Sequence, residues 1–186
     1  MANVSAAKPG VGGGIWMAPF GTTLPTDAST ALASAYKSLG YADENGVTRA
    51  TEMDTNPVKA WGGDTVAVLS SGKTETFRVK LIEPDNLDVL GLTFGEASGT
   101  LADGITVKST AAQREPHVFV LSTILANNIH QRIVIPNGIV TGVGDVQYVD
   151  NAVIGYELTI TAIADEDNVT AYEYLKTVTP AASSGT

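Results

Sequence analysis

Val153-Ile154-Gly155-Tyr156-Glu157-Leu158-Thr159-Ile160-Thr161-Ala162-Ile163 decides the fold class. Ile154, Tyr156, Leu158, Ile160 and Ala162 fall on one side of an extended chain, and Glu157, Thr159 and Thr161 on the other. Successive side chains of a strand point to opposite faces, so this alternation predicts a strand with one face in a core and one in water. A helix would need the apolar residues three and four apart.

The same period runs through Thr76-Phe77-Arg78-Val79-Lys80-Leu81, where Phe77, Val79 and Leu81 take the apolar side. Ser71-Gly72 reads as the hairpin turn before it. Val118 to Leu125 is apolar on both faces, which predicts a central strand. Pro136 lacks an N–H for a ladder and confines its own strand to an edge or a bulge. Tyr172 to Val178 adds a last strand, and 180–186 reads as a C-terminal tail.

Two helices interrupt the pattern. Leu87, Leu90 and Phe94 adopt helical spacing, with Asp85 available to cap, Asp88 in the first turn and Gly95 to close the end. A shorter helix is expected after Thr26 or Asp27, carrying Leu32, Tyr36 and Leu39 on one face. Between the helices, Asn45-Gly46, Asn56-Pro57 and Gly62-Gly63 break a polar stretch, so 43–64 is expected to be a long exposed loop or hairpin. Asp103-Gly104 marks another turn.

Lys8-Pro9-Gly10-Val11-Gly12-Gly13-Gly14 is costly to order, because glycine loses the most backbone entropy on folding. Residues 1–25 therefore read as a mobile N-terminal arm and linker, 26–179 as one β domain. Ile15, Trp16, Met17 and Phe20 on the arm, with Met53 and Trp61 on the 43–64 segment, are large apolar groups that need a surface to cover them. The alternative, that Trp16 and Trp61 are intramolecular core, stays open.

Composition narrows the chemistry. The 186 residues contain no cysteine, which excludes disulfides, thiolate metal sites and thiol nucleophiles. Twenty acidic against 11 basic side chains give a formal net charge of −9, opposed to gripping phosphates. No apolar run approaches the ~20 residues of a membrane span, and Met1 to Ser5 shows no secretory pattern. Gly10 to Gly14 lacks the flanking strand and helix of a phosphate loop, and Gly72-Lys73-Thr74 lacks the earlier glycine, where Ala67 stands. His117 and His130 have no third ligand at metal spacing, and Asp165-Glu166-Asp167-Asn168 reads as a solvated turn. No acid, base and nucleophile set stands out, so no enzyme, metal or cofactor is expected.

Ile15-Trp16-Met17-Ala18-Pro19-Phe20-Gly21-Thr22-Thr23-Leu24-Pro25-Thr26-Asp27, then Leu39-Gly40-Tyr41, Asn45-Gly46-Val47 and Trp61-Gly62-Gly63, follow one another in an order that resembles the siphophage major tail (tail tube) proteins. Leu81-Ile82-Glu83, the Asn86 to Phe94 helix, Ile133 to Gly138 and Gly155 to Ile160 continue it. The resemblance implies a mainly β fold with one flanking helix, an antiparallel β-sandwich or barrel. It also implies self-assembly into stacked, usually hexameric rings around a tape measure protein, with a tail terminator and a distal tail protein as partners. Ile15, Trp16, Met17, Phe20, Met53 and Trp61 are then the candidate assembly contacts, and removing residues 1–20 is expected to leave folding intact and to abolish polymerisation. The location implied is the virion tail, assembled in the bacterial host cytoplasm, with DNA passing and no membrane contact. Asp145, Asp150 and Glu157 are the candidate lumen acids, since an acidic wall repels phosphate. The alternatives are a β-sandwich module that stacks carbohydrate on Trp and Tyr, and a tail terminator or secretion-system tube subunit.

Overall fold

The computed structural model describes residues 4–178. In chain order its elements are β1 (Lys8–Pro9), β2 (Ile15–Pro19), β3 (Lys37–Ser38), β4 (Ala42–Lys59), β5 (Thr65–Leu81), α1 (Leu87–Phe94), β6 (Gly95–Thr100), β7 (Gly104–Ser109), β8 (His117–Leu125), β9 (Ile129–Val143), β10 (Tyr156–Ala162) and β11 (Tyr172–Thr177). A 3-10 turn at Ala126–Asn128 joins β8 to β9.

The decisive alternation becomes β10. Tyr156, Leu158, Ile160 and Ala162 are buried, Glu157 is exposed, and both edges are paired antiparallel, to β5 and to β9. The main sheet runs β3-β2-β8-β9-β10-β5-β4, with β1 against β8 and β11 against β9; β6 and β7 form a second, two-stranded sheet. Among the described residues the strand path is open and no barrel closes.

Period two sorts the side chains into two cores. On one face Ile15, Met17, Phe77, Val79, Leu81, Phe119, Ile133, Leu158 and Ile160 pack under Val89, Leu90 and Leu92 of α1, with Ala97 and Ile105 of the small sheet against them. The main sheet, α1 and the β6–β7 sheet thus enclose a sandwich core. On the other face Trp16, Ala18, Val118, Val120 and Val134 lie under Leu24, Leu32 and Tyr36 from the 20–36 segment. Burying side chains of Leu, Ile or Phe size stabilises by about 1.5–3 kcal/mol each.

Several local expectations are corrected. The arm's apolar part, Ile15–Pro19, is β2, paired with Leu121 to His117 of β8. The glycine run before it is a turn in which Gly12, Gly13 and Gly14 all have positive φ. It is pinned by Gly10 N–H to Ser122 O at 2.9 Å and Ser122 N–H to Gly14 O at 2.7 Å. Removal of residues 1–20 would thus delete a core strand.

No helix follows Thr26. The Asp27 carboxylate caps the amides of Ser29 and Thr30, as at a helix start, but the chain then turns away so that Tyr36 and Leu39 enter opposite cores. At the second helix the cap is Asn86, not Asp85: its Oδ1 accepts from Asp88 N–H at 3.1 Å and from Val89 N–H at 3.4 Å, and Gly95 closes the end at φ 116°.

Ser71-Gly72 is not a turn. It lies inside β5, where the register shift between Asp54 and Thr55 leaves Ser71 unpaired, a β-bulge. Asn45-Gly46 is likewise absorbed by an irregularity in β4, and the real turn is Ala60 to Asp64. Pro136 takes the bulge alternative, at the irregularity where β8 residues His117 and Phe119 oppose Gly138 and Ile135. The C-terminal tail, 180–186, lies outside the described residues.

Candidate assembly interface

β4 and β5 pair with each other over their whole length, but β10 accompanies β5 only from Leu81 to Glu75. Beyond Glu75 the two strands form a hairpin without a core: every residue from 51 to 71 is exposed. An isolated two-stranded hairpin is marginal in water at best. This one carries Met53 (66% exposed), Val66 (63%), Val68 (61%) and Leu69 (59%), with Trp61 (106%) at its tip. Large exposed apolar residues gathered on one element mark an interaction surface, and an exposed strand edge offers unpaired backbone groups to another chain.

The other candidate contacts divide. Ile15 and Met17 are buried in the first core, Trp16 is half-buried against the second, and Phe20 is exposed. Trp16 thus packs within the chain whereas Trp61 touches nothing that shields it. Among the acids, Asp145, Asp150 and Glu157 are all exposed. Gly144 N–H donates to Glu157 O at 2.8 Å, so Asp145 is the residue after the one that pairs with Glu157; Asp150 lies further along the 144–155 connection. Glu157 stands opposite Lys80 in register, with Arg78 opposite Thr159, so its face is of mixed charge.

The hairpin's root holds a group that sequence reasoning missed. Glu75 occupies the inward position of the Phe77, Val79, Leu81 series and is fully buried. Its carboxylate accepts from Arg49 Nε, from Lys73 Nζ at 2.9 Å and from Thr170 Oγ1. Arg49 also donates to Glu173 Oε2 at 3.1 Å and lies over the Phe77 ring, 5.5 Å from its centroid. Burial pushes the Glu75 pKa up, but the hydrogen bonds from Thr170, Lys73 and Arg49 outweigh it and hold the group below its ordinary value. The signal was present in the sequence, as a glutamate in phase with three apolar residues.

Elsewhere the polar groups do structural work. Asp165 accepts from Asp167 and Val169 amides at 3.0 and 2.9 Å and from Tyr172 Oη at 2.7 Å, closing the turn before β11. Lys73 of the Gly72-Lys73-Thr74 triplet donates to Glu75 at 2.9 Å. Among the described residues no group of three or more His, Cys, Asp or Glu converges as metal ligands, and no helix is long and apolar enough to cross a membrane.

Fold and surface together define a mainly β chain with an exposed hairpin that carries large apolar residues. The chain belongs to the phage tail tube protein family, whose model matches residues 2–185. That membership makes it a structural component of a phage tail. Among solved structures it is similar to a chain of a complex described as an extracellular contractile injection system, PVC sheath-tube complex in the extended state, at 8% identity and a TM-score of 0.42, covering 91% of this chain and 92% of that one. No curated protein matches the sequence.

Proposed function

We propose that the chain is the major tail protein of a long, non-contractile phage tail, polymerising into stacked hexameric rings that enclose a tape measure protein and later conduct DNA. The observation that carries this reading is the hairpin, which exposes every residue from 51 to 71, Trp61 and Met53 among them. A tube needs heterologous contacts, in which one patch of a subunit meets a different patch of the next. The hairpin is the donor patch. Phe20 is a further contact, whereas Ile15, Trp16 and Met17 act from within the subunit by holding β2 in the sheet.

The net charge of −9 supports passage of DNA without sticking. Asp145, Asp150 and Glu157 remain the proposed lumen acids, with Lys80 opposite Glu157 and Arg78 opposite Thr159 tempering their face. A tail terminator and a distal tail protein would close the two ends, in a tail assembled in the host cytoplasm.

Electron microscopy of the purified chain at high concentration tests the proposal. Hollow rods of uniform width are expected. Persistent monomers that bind glycans would overturn it in favour of a carbohydrate-binding module, and single rings that never stack would favour a terminator.

A further inference from the structure

We propose that Glu75 is a positioning residue that fixes the direction in which the β4–β5 hairpin leaves the sheet, so that competence to polymerise depends on a carboxylate inside the subunit. This rests on the hairpin being the assembly contact.

The hairpin cannot orient itself. It has no buried residue between 51 and 71, and β10 stops at Ala162, opposite Glu75. Its angle to the body is therefore set at the root, and there one buried carboxylate collects three donors from three places. Arg49 comes from β4, Lys73 from the hairpin side of β5, and Thr170 from the segment before β11.

The network continues into the body. Lys73 Nζ also reaches Thr170 Oγ1 at 3.0 Å, Arg49 reaches Glu173 at 3.1 Å, and Gln131 Nε2 on β9 donates to the other Glu173 oxygen at 2.5 Å. β4 is thus tied to β11 and, through Glu173, to β9, and β5 to the segment before β11, across the place where the partner of β9 changes from β10 to β11.

A leucine at position 75 would continue the row of Phe77, Val79 and Leu81, so apolar packing alone does not require a charge here. Buried ion pairs add little net stability over apolar packing, and their best-attested use is to specify one geometry. Without the carboxylate, Arg49 and Lys73 face each other across the root with nothing between them to hold the strands at a set angle.

The test uses the full chain, with Glu75→Gln and Glu75→Leu variants, and a Glu75→Leu, Arg49→Met, Lys73→Met chain that removes the orphaned cations should either single variant fail to fold. Hydrogen exchange is read by mass spectrometry on unassembled protein, and rod formation by electron microscopy. Exchange in 51–74 is expected to accelerate about tenfold or more, with 77–81 and 156–162 protected as in the wild type, and the concentration needed for rods to rise about tenfold. Unchanged exchange in 51–74 overturns the positioning role and leaves the proposed function standing. Accelerated exchange with normal rods instead overturns the hairpin as the assembly contact.

Discussion

Gly13 packs so closely on Gly40 that a Cβ on the first would stand 1.9 Å from the carbonyl oxygen of the second. The contact presses the turn before β2 against the corner between β3 and β4, next to where Leu39 N–H bonds to Ile15 O at 3.0 Å. Gly13 also has φ +89°, a conformation that L side chains rarely adopt. Gly13→Ala is therefore expected to destabilise by about 2–5 kcal/mol, from left-handed strain of ~1–2 and overpacking of ~1–3. Denaturant unfolding measures it; a loss below half a kcal/mol would show that the two segments part easily.

Truncation of residues 1–20 is expected to unfold the subunit. It removes β2, whose Ile15 and Met17 lie in one core and Ala18 in the other, and strips β8 of a neighbour. Loss of the cooperative transition by circular dichroism is the expected result. A folded truncated chain would mean that β2 is dispensable.

The cap of α1 separates two adjacent residues. Asn86→Ala removes the acceptor for the Asp88 and Val89 amides and should cost about 1 kcal/mol, whereas Asp85→Ala should stay within about half a kcal/mol of the wild type. Thermal or urea unfolding of the pair checks the assignment.

Acid should weaken the hairpin's root. Glu75 has a folded pKa below its ordinary value of 4.5, so its contribution is fully present above the unfolded pKa and is lost as pH falls through the folded one. The groups facing it are Arg49 on β4, Lys73 on β5 and Thr170, with Glu173 on β11 and Gln131 on β9 one contact further out. Stability measured from pH 6 downward should fall more steeply for the wild type than for Glu75→Gln, and the two curves should converge in strong acid. Parallel curves would show that Glu75 does not carry this acid sensitivity.

The strands were legible in sequence wherever one face is buried and the other wet, because burial writes a period of two, as in 156–162 and 77–81. α1 was legible through a different period, with three apolar residues at helical spacing. What stayed hidden was structure made by pairing alone. Residues 51–71 bury nothing and so write no period, which leaves loop and hairpin indistinguishable over 43–64 and makes the bulge at Ser71 read as a turn although it lies within β5. Leu32, Tyr36 and Leu39 imitated a helix face although two of them enter different cores. The arm misled in the opposite direction: its glycines suggested mobility, but they are needed where the backbone turns at positive φ and packs against Gly40. Of the candidate contacts, Met53 and Trp61 were found by type and place, whereas the buried group beneath them needed the fold.

A hairpin that joins subunits becomes covered when they polymerise. Trp61 reports this directly in a Trp16→Phe chain, where it is the sole tryptophan. Its emission should shift to the blue, and its quenching by iodide should fall, as rods form. Rods that assemble with Trp61 still red-emitting and freely quenched would contradict the account.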